Sequence, residues 1–358
     1  MEKMDIKLSV IETEKKYYYD PTETTYGGKD AIVSWGPDNN IPNLLLNCYE
    51  SSPSLKAAID QSVNYILGDN IAVDEGLFKE KVNRRGQTMK DLMEHIAADY
   101  QIFGNFCFQV IFNKMGTPCE LYPIDVAKCR LNEDGDKVFY SKKRWTKYQT
   151  KAEEFGRFGR AKFDPEKPTQ MFFYNGTGVR RMYNRAPWSS ALDDVLTEVE
   201  SGKYMLNTVS NGFSAKYCLS FPEVGLTDAQ KEAVEEGIKS KFAGPDGNDF
   251  MLYWKTTDDI NIQKIEQDSS PEKLAEIKKQ STSAIFTAMR MSPLLCGLAA
   301  ENVGFSTQEF SDSFKLYERT VARPTREIIT KCIESVIGND MKISVMPFNV
   351  DFQQNNGE

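Results

Sequence analysis

Apolar residues recur along this chain at two spacings, and the order of those spacings divides it into segments. Ser52 followed by Pro53 gives an N-cap with proline at the first helical position, and Leu55, Ile59, Val63 and Ile66 then share one face before Gly68 stops the run. The pattern returns at Thr88, where Asp91 completes a capping-box signature and Met89, Leu92, Met93, Ile96 and Tyr100 form a stripe reaching Phe103. Beyond Gly104 and Asn105 the spacing becomes that of strands. Phe106 to Phe112 and Leu121 to Ile124 are compact apolar runs, and Asp134-Gly135 lies between Cys129–Leu131 and Lys137–Tyr140 as a hairpin turn. Ahead of these, residues 17–47 are rich in turn formers around Trp35-Gly36-Pro37-Asp38-Asn39-Asn40-Ile41-Pro42 and read as an ordered irregular arm. The first 180 residues are therefore expected to be α+β.

From Ala191 the character changes. Leu192, Val195, Leu196, Val199, Leu206, Val209 and Phe213 keep helical spacing over about 25 residues, a rod of roughly 38 Å. Gly202 interrupts it at a cost of about 1 kcal/mol against alanine, which points to close packing with a neighbour. A compact α/β insert follows, with a strand at Tyr217–Phe221, a helix opened by Thr227 and Gln230, a turn at Gly244-Pro245-Asp246-Gly247, and strands near Phe250–Trp254 and Ile260–Ile265. A second long helix starts at Pro271 and ends at Ser292-Pro293, with Leu274, Ile277, Ala284, Ile285, Ala288 and Met289 as its apolar stripe. Glu272, Glu276, Lys279, Ser283 and Arg290 fall on its opposite, wet side. Ser306 with Glu309 then makes a capping box, and Phe305 with Phe310 a hydrophobic staple. The helix so opened carries Phe310, Phe314, Tyr317 and Val321, must kink or break at Pro324, and continues through Ile328, Ile329 and Ile333. Residues 341–352 form a closing strand, with Pro347 favouring an edge or a bulge.

Composition narrows what such a chain does. With 40% hydrophobic and 11% aromatic residues and well-mixed charges, disorder is excluded, and 358 residues suffice for two domains or one elongated body. A net charge of −8 argues against a surface that grips nucleic acid throughout, so any DNA contact is loose or local. The start, Met1 to Asp5, has no apolar signal region and no run approaches a membrane span, so a cytosolic origin and no membrane partner are expected. Residues 142–162 concentrate Lys142, Lys143, Arg144, Lys147, Lys151, Arg157, Arg160 and Lys162 and read as a solvated loop, with a DNA or partner patch as the alternative.

The residues that carry chemistry are scarce. Seven scattered cysteines contain no C-x-x-C pair, which suggests buried thiols rather than disulfides or a zinc site. His95 is the single histidine and cannot supply the paired roles of a triad or metal cluster. No phosphate-binding glycine loop occurs, and Asn132, Asp134 and Asp136 imitate a calcium loop without its glycine or its last acid. Asp193-Asp194 and Asp258-Asp259 are adjacent carboxylates that diverge on a helix, and the first pair suits a helix start. No catalytic site, cofactor or metal is expected.

The order of the pieces resembles the portal proteins of tailed bacteriophages, of siphovirus type. The resemblance is carried by Asn207-Thr208-Val209-Ser210-Asn211-Gly212-Phe213, by Met291-Ser292-Pro293-Leu294-Leu295-Cys296-Gly297 and by Asn302-Val303-Gly304-Phe305-Ser306. The Trp35–Pro42 segment, Tyr100–Phe108 and Leu121–Val126 are similar to N-terminal landmarks of that family, and the match spans about residues 30–335. What it implies is an elongated α+β portal fold: an α/β wing at 1–186, stem helices at 187–213 and 268–291, a small α/β clip at 214–267, and a tunnel loop at 292–306. A kinked long helix and closing wing strand at 307–358 complete it, with the crown minimal or absent.

The function implied is a homo-oligomeric ring of about twelve subunits at one capsid vertex of the virion. Double-stranded DNA passes through it without sequence preference during packaging and ejection. Terminase, the major capsid or scaffold protein and a head-to-tail adaptor are the implied partners, and no enzyme activity is implied. Twelve copies would sum to about −96, a weakly adhesive channel. Lumen-lining residues would be Glu272, Glu276, Lys279, Ser283 and Arg290; tunnel-loop residues Gly297, Glu301, Asn302 and Gly304; and docking residues of the clip Pro245, Asp246, Asn248, Asp258 and Asp259. A head-to-tail connector ring and a metal-dependent DNA-processing hydrolase are the competing readings; the second requires a metal cluster.

Overall fold

The computed structural model describes residues 22–27, 31–74, 76–147, 149, 151–176, 182–210, 217–222, 227, 250–255, 261–264, 271–298, 306–338 and 341–349. The chain divides into two units, one of residues 1–192 with 286–358 and one of residues 193–285.

The first unit opens with a short antiparallel pair, β1 (Thr25–Tyr26) and β2 (Ile32–Val33). The arm expected to stay irregular to Asn47 is irregular only as far as Asn40. Ile41–Ser51 is a helix, α1, because Pro42 sits in its first turn, where no intrahelical donor is lost, while Ile41, Leu45 and Cys48 face inward. Its last turn hands over directly to α2 (Pro53–Leu67), whose N-cap Ser52 accepts the Leu55 N–H at 3.1 Å. The strand β3 (Asn70–Val73) follows. The helix α3 (Met89–Phe103) carries the expected capping box: Thr88 Oγ1 accepts from the Asp91 N–H at 3.3 Å and the Asp91 carboxylate from the Thr88 N–H at 2.7 Å. It ends at Gly104 in left-handed conformation (φ 72°), where a Cβ would stand 2.2 Å from the Arg185 carbonyl oxygen.

A six-stranded sheet then forms from β4 (Phe106–Phe112), β5 (Pro118–Ile124), β6 (Cys129–Leu131), β7 (Lys137–Tyr140), β8 (Glu153–Arg157) and β9 (Thr169–Tyr174), in the order β5-β4-β9-β8-β7-β6. Only β8 and β9 run parallel. Phe106 stacks on Tyr174 at 4.7 Å and Phe108 on Phe172 at 4.8 Å, so cross-strand aromatic pairs set the register of β4 against β9. The Asp134-Gly135 turn is present. Asn132 Oδ1 accepts the Lys137 N–H at 2.9 Å and its amide donates to Asp136 at 2.7 Å, so the acid-rich stretch closes a hairpin and not a calcium loop.

The basic segment is not a plain loop. Its residues 153–157 are β8, and Arg157 is buried, donating to the carbonyls of Gly135 (3.1 Å) and Phe173 (2.8 Å) and to Asn175 Oδ1 (2.9 Å). Lys142 and Lys147 pair with Glu153 and Asp38.

In the second unit, α4 (Leu192–Ser210) has 19 residues, about 28 Å of helix, and the remainder of the expected rod, to Phe213, lies outside the described residues. The insert has β10 (Tyr217–Pro222) between β11 (Phe250–Lys255), which is parallel to it, and β12 (Asn261–Lys264), which is antiparallel. The helix expected from Thr227 and the turn at 244–247 lie outside the described residues. The helix α5 (Pro271–Ala288) follows.

Back in the first unit, α6 (Thr307–Tyr317) begins at Ser306, whose Oγ accepts the Glu309 N–H at 3.3 Å; Phe305, the other half of the expected staple, lies outside the described residues. Where a kink or a break at Pro324 is expected, the helix does not break but carries a π-helical irregularity. A π-helical turn, Glu318–Ala322, joins α6 to α7 (Arg323–Ile337), and the Arg323 N–H bonds the Glu318 carbonyl, so the missing proline donor falls where the ladder is already shifted. The last strand, β13 (Ile343–Met346), pairs antiparallel with β3, ending one residue before Pro347.

Candidate functional site

The wet side assigned to α5 is a strip of exposed side chains. Glu276, Lys279 and Ser283 are all exposed, at steps of three and four along the helix, while the side chain of Glu272 lies outside the described residues. The apolar stripe is shorter than the spacing suggests. Ser281, Ile285, Phe286 and Met289 are buried, but Ala275 to Gln280 are exposed on every side, and Ile277, assigned to the stripe, is 41% exposed.

Arg290 does not belong to the strip, because the helix ends at Ala288. The Arg290 N–H bonds the Thr287 carbonyl and the Met291 N–H the Phe286 carbonyl, both at 3.0 Å, with Arg290 itself at φ 53°. This is a Schellman ending with arginine where glycine is usual, a conformation that costs an L-residue about 1 kcal/mol. Arg290 stays exposed beside two tyrosines. Burial raises the Tyr100 and Tyr317 hydroxyls above their ordinary range, and the Arg290 charge pulls both back; the hydrogen bond of Tyr317 to Ser62 also lowers its value.

The chain after this turn is tied down at its start. Pro293–Cys296 form a 3₁₀ turn closed by Gly297 at φ 76°, and the Tyr65 hydroxyl donates to the Leu295 carbonyl at 3.0 Å. Tyr65 is itself held by Phe314, Tyr317 and Phe348, with ring centroids 5.1, 5.8 and 6.0 Å away. Gly297 is thus placed on the α2 side of the first unit. Glu301, Asn302 and Gly304 lie outside the described residues, as do Pro245, Asp246, Asn248, Asp258 and Asp259.

Sequence reasoning passed over the residues that brace this region. Arg326, on the buried face of α7, donates to the Ile66 and Tyr65 carbonyls at 2.7 Å each and grips Glu318 of the π turn at 2.7 and 3.2 Å. One guanidinium therefore caps the last turn of α2 and fixes the helical joint beside Pro324. Arg130 plays a similar part under the irregular arm. Fully buried, it donates to Asn39 through Nε at 2.5 Å and Nη2 at 3.0 Å and to the Ala127 and Cys129 carbonyls, between the rings of Trp35 and Trp145. Burial lowers its pKa to about 10.

His95 lies 3.7 Å from Asp99 and 3.8 Å from Asp125, but Lys128 Nζ stands 2.5 Å from Asp125 where a cation would sit. Among the described residues no group of three or more His, Cys, Asp or Glu is placed to hold a metal ion. Of the six described cysteines, Cys48, Cys107 and Cys129 are buried and Cys119, Cys296 and Cys332 half-buried, all reduced. No described helix is long and apolar enough to cross a membrane.

The family model of the phage portal protein matches residues 75–344, three quarters of the chain. The chain belongs to the phage portal protein family. Portal and neck structures share its α+β fold. A chain in the virion of a native gene transfer agent particle superposes with a TM-score of 0.57 at 14% identity, covering 90% of this chain and 86% of that one. A chain in the neck of the native particle, computed with C12 symmetry, gives 0.56 at 13% identity over 93% and 87%. The HK97 family phage portal protein from Corynebacterium diphtheriae gives 0.51 at 12% identity over 84% and 94%. No curated protein matches the sequence.

Proposed function

We propose that this portal-family chain assembles into a closed ring of about twelve copies at a capsid vertex and that double-stranded DNA passes through the hole. The observation that carries the reading is the exposure of α4 and α5 in the single chain: Tyr204 is 42%, Met205 44%, Leu206 65% and Ile277 41% exposed. Helical stretches with solvent on every side, residues 202–206 of α4 and 275–280 of α5, and bulky apolar groups among them are unfinished surfaces, and copies standing side by side bury them. The C12 neck to which the fold is similar supports a ring of this order.

In this reading α4 and α5 form the stem (187–213 and 268–291), residues 214–267 the clip that docks terminase and then the head-to-tail adaptor, and residues 292–306 the tunnel loop. The wing, 1–186 with 307–358, meets the capsid or scaffold protein. Glu272, Glu276, Lys279 and Ser283 line the lumen with mixed charge, which holds a polyanion weakly and lets it slide. Arg290 stands just past the end of that strip. The tunnel loop offers Gly297, Glu301, Asn302 and Gly304, and the clip Pro245, Asp246, Asn248, Asp258 and Asp259. The chain acts as a conduit without catalysis of its own.

Native mass measurement with negative-stain imaging of the full-length protein tests this. Rings near twelve protomers with a central hole are expected, and a monomer at every concentration overturns the reading.

A further inference from the structure

Among the described residues the sheet of β3 and β13 is two-stranded, and one edge of β13 has no strand beside it. The Asp74 N–H bonds the Lys342 carbonyl at 3.2 Å and the Asp69 N–H the Met346 carbonyl at 2.8 Å, so the even-numbered residues of β13 turn their backbone groups toward β3. Ile343 and Val345 turn theirs the other way, and the Ile343 N–H accordingly reaches Glu334 Oε1 on α7 at 2.9 Å. A strand edge of this kind is a template for pairing, which proteins either cover or use.

A groove of about 720 Å³ runs between this edge and the helices α6 and α7. Phe314, Ile343, Val345 and Pro347 give it an apolar floor, and Lys315, Arg319, Arg323 and Glu327 are exposed along the helical wall. Arg326 and Glu318 border it as well but are bound to each other at 2.7 Å. With four cations against two acids, the groove has a net charge of +2 in a chain whose total is −8.

We infer that this groove docks an extended acidic segment of a partner protein, which adds a strand to the outer edge of β13 and sets its carboxylates against the basic wall. Val345 supplies both a donor and an acceptor to the new ladder, and Pro347, which has no N–H, limits its length. Successive side chains of an added strand point to opposite sides, so the apolar floor and the basic wall together call for a segment in which apolar and acidic residues alternate. Duplex nucleic acid suits the site less well. Its phosphates accept hydrogen bonds but donate none, which leaves the Val345 carbonyl unmet, and Glu318 and Glu327 repel them. The groove lies wholly in the first unit and is complete in one chain, so the inference goes beyond the ring reading and does not rest on it.

The test is fluorescence anisotropy of the full-length protein with a labelled peptide of alternating valine and glutamate, about eight residues long. Saturable binding that weakens with added salt is expected. Arg319→Glu is expected to weaken it about fivefold, and Lys315→Glu combined with Arg319→Glu about tenfold or more, with the circular-dichroism melt unchanged because both side chains are exposed. Val345→Pro removes an N–H that β3 does not use and is expected to weaken binding about tenfold. Methylating alternate backbone nitrogens of the peptide removes the ladder from the other side and leaves the protein untouched, so the same loss is expected there. Binding that survives the charge reversals or the methylated peptide overturns the inference, as does no binding at all. Two further outcomes overturn it by naming another occupant: short duplex DNA that binds in place of the peptide and is released by Arg319→Glu, or rings lost with that change while no peptide binds, which makes a second copy the occupant.

Discussion

In the unit built from residues 1–192 and 286–358, even arginines are inside: Arg130, Arg157 and Arg326 are all buried, and each has its donors on carbonyl, amide or carboxylate oxygens. In the unit of residues 193–285 the exposed bulky apolar groups gather on two helices, Tyr204, Met205 and Leu206 on α4 and Ile277 on α5, whereas those of the first unit, such as Leu77, Met115, Leu298 and Met346, are scattered. The first unit pairs its buried guanidiniums within one chain; the second leaves consecutive bulky apolar groups on α4 for something else to cover. Stability of the monomer should therefore reside in the first unit and assembly in the second.

The largest expected effect comes from Arg326. Arg326→Leu leaves two α2 carbonyls and the half-buried Glu318 without their partner, which should cost about 3–5 kcal/mol in urea unfolding. Adding Glu318→Leu should return part of that loss, since the stranded charge goes with it. A loss below about 1 kcal/mol would place the bracing of the α2 end elsewhere. Next is Ser52→Ala, which removes the cap between two helices and should cost about 1 kcal/mol by the same measurement. Leu206→Ser should move the monomer midpoint by no more than about 0.5 kcal/mol while lowering ring yield, and a large monomer effect would erase the contrast between the units.

The smallest effect is a change of slope. Burial raises the Asp99 carboxyl well above the usual carboxylate range, the nearby Asp125 charge adds to this, and the Val126 N–H that it accepts at 3.0 Å opposes it. The folded chain thus holds this proton more tightly than the unfolded one. Its contribution is complete below the ordinary carboxylate pKa and is lost as pH rises through the raised value. Asp99→Asn keeps an acceptor for Val126 and cannot titrate, so its stability relative to the parent should improve as pH rises and converge in acid. Parallel curves in pH-dependent unfolding would show that Asp99 does not titrate in that window.

What was legible in the sequence was what a few adjacent residues decide. Ser52, Thr88 and Ser306 cap helices because the donor each satisfies is three residues away. Asp134-Gly135 turns because glycine is needed at φ 69°. The helix at Ile41–Ser51 was hidden by Pro42, which reads as a turn former until its first-turn place is known. The strand at Glu153–Arg157 was hidden by its charge, since a guanidinium satisfied by carbonyls of the neighbouring strand and of the Asp134-Gly135 turn leaves no local mark. Arg326 was missed for the same reason, with partners some 260 residues distant. On the candidate site, Glu276, Lys279 and Ser283 were placed correctly on one exposed strip, whereas Arg290 fell off it because the helix ends in an arginine-bearing turn that periodicity does not register.

The pairing of β3 with β13 has a consequence for how the protein is made. Asn70–Val73 leaves the ribosome long before Ile343–Met346, its partner, has been translated. At about 5–20 residues per second the interval is on the order of 15–55 s, during which the edge of β3 has no mate and α2 lacks the guanidinium that closes its end. The outward-facing helices are thus finished first and the self-sufficient body last, an order that delays a completed protomer until its whole chain is free.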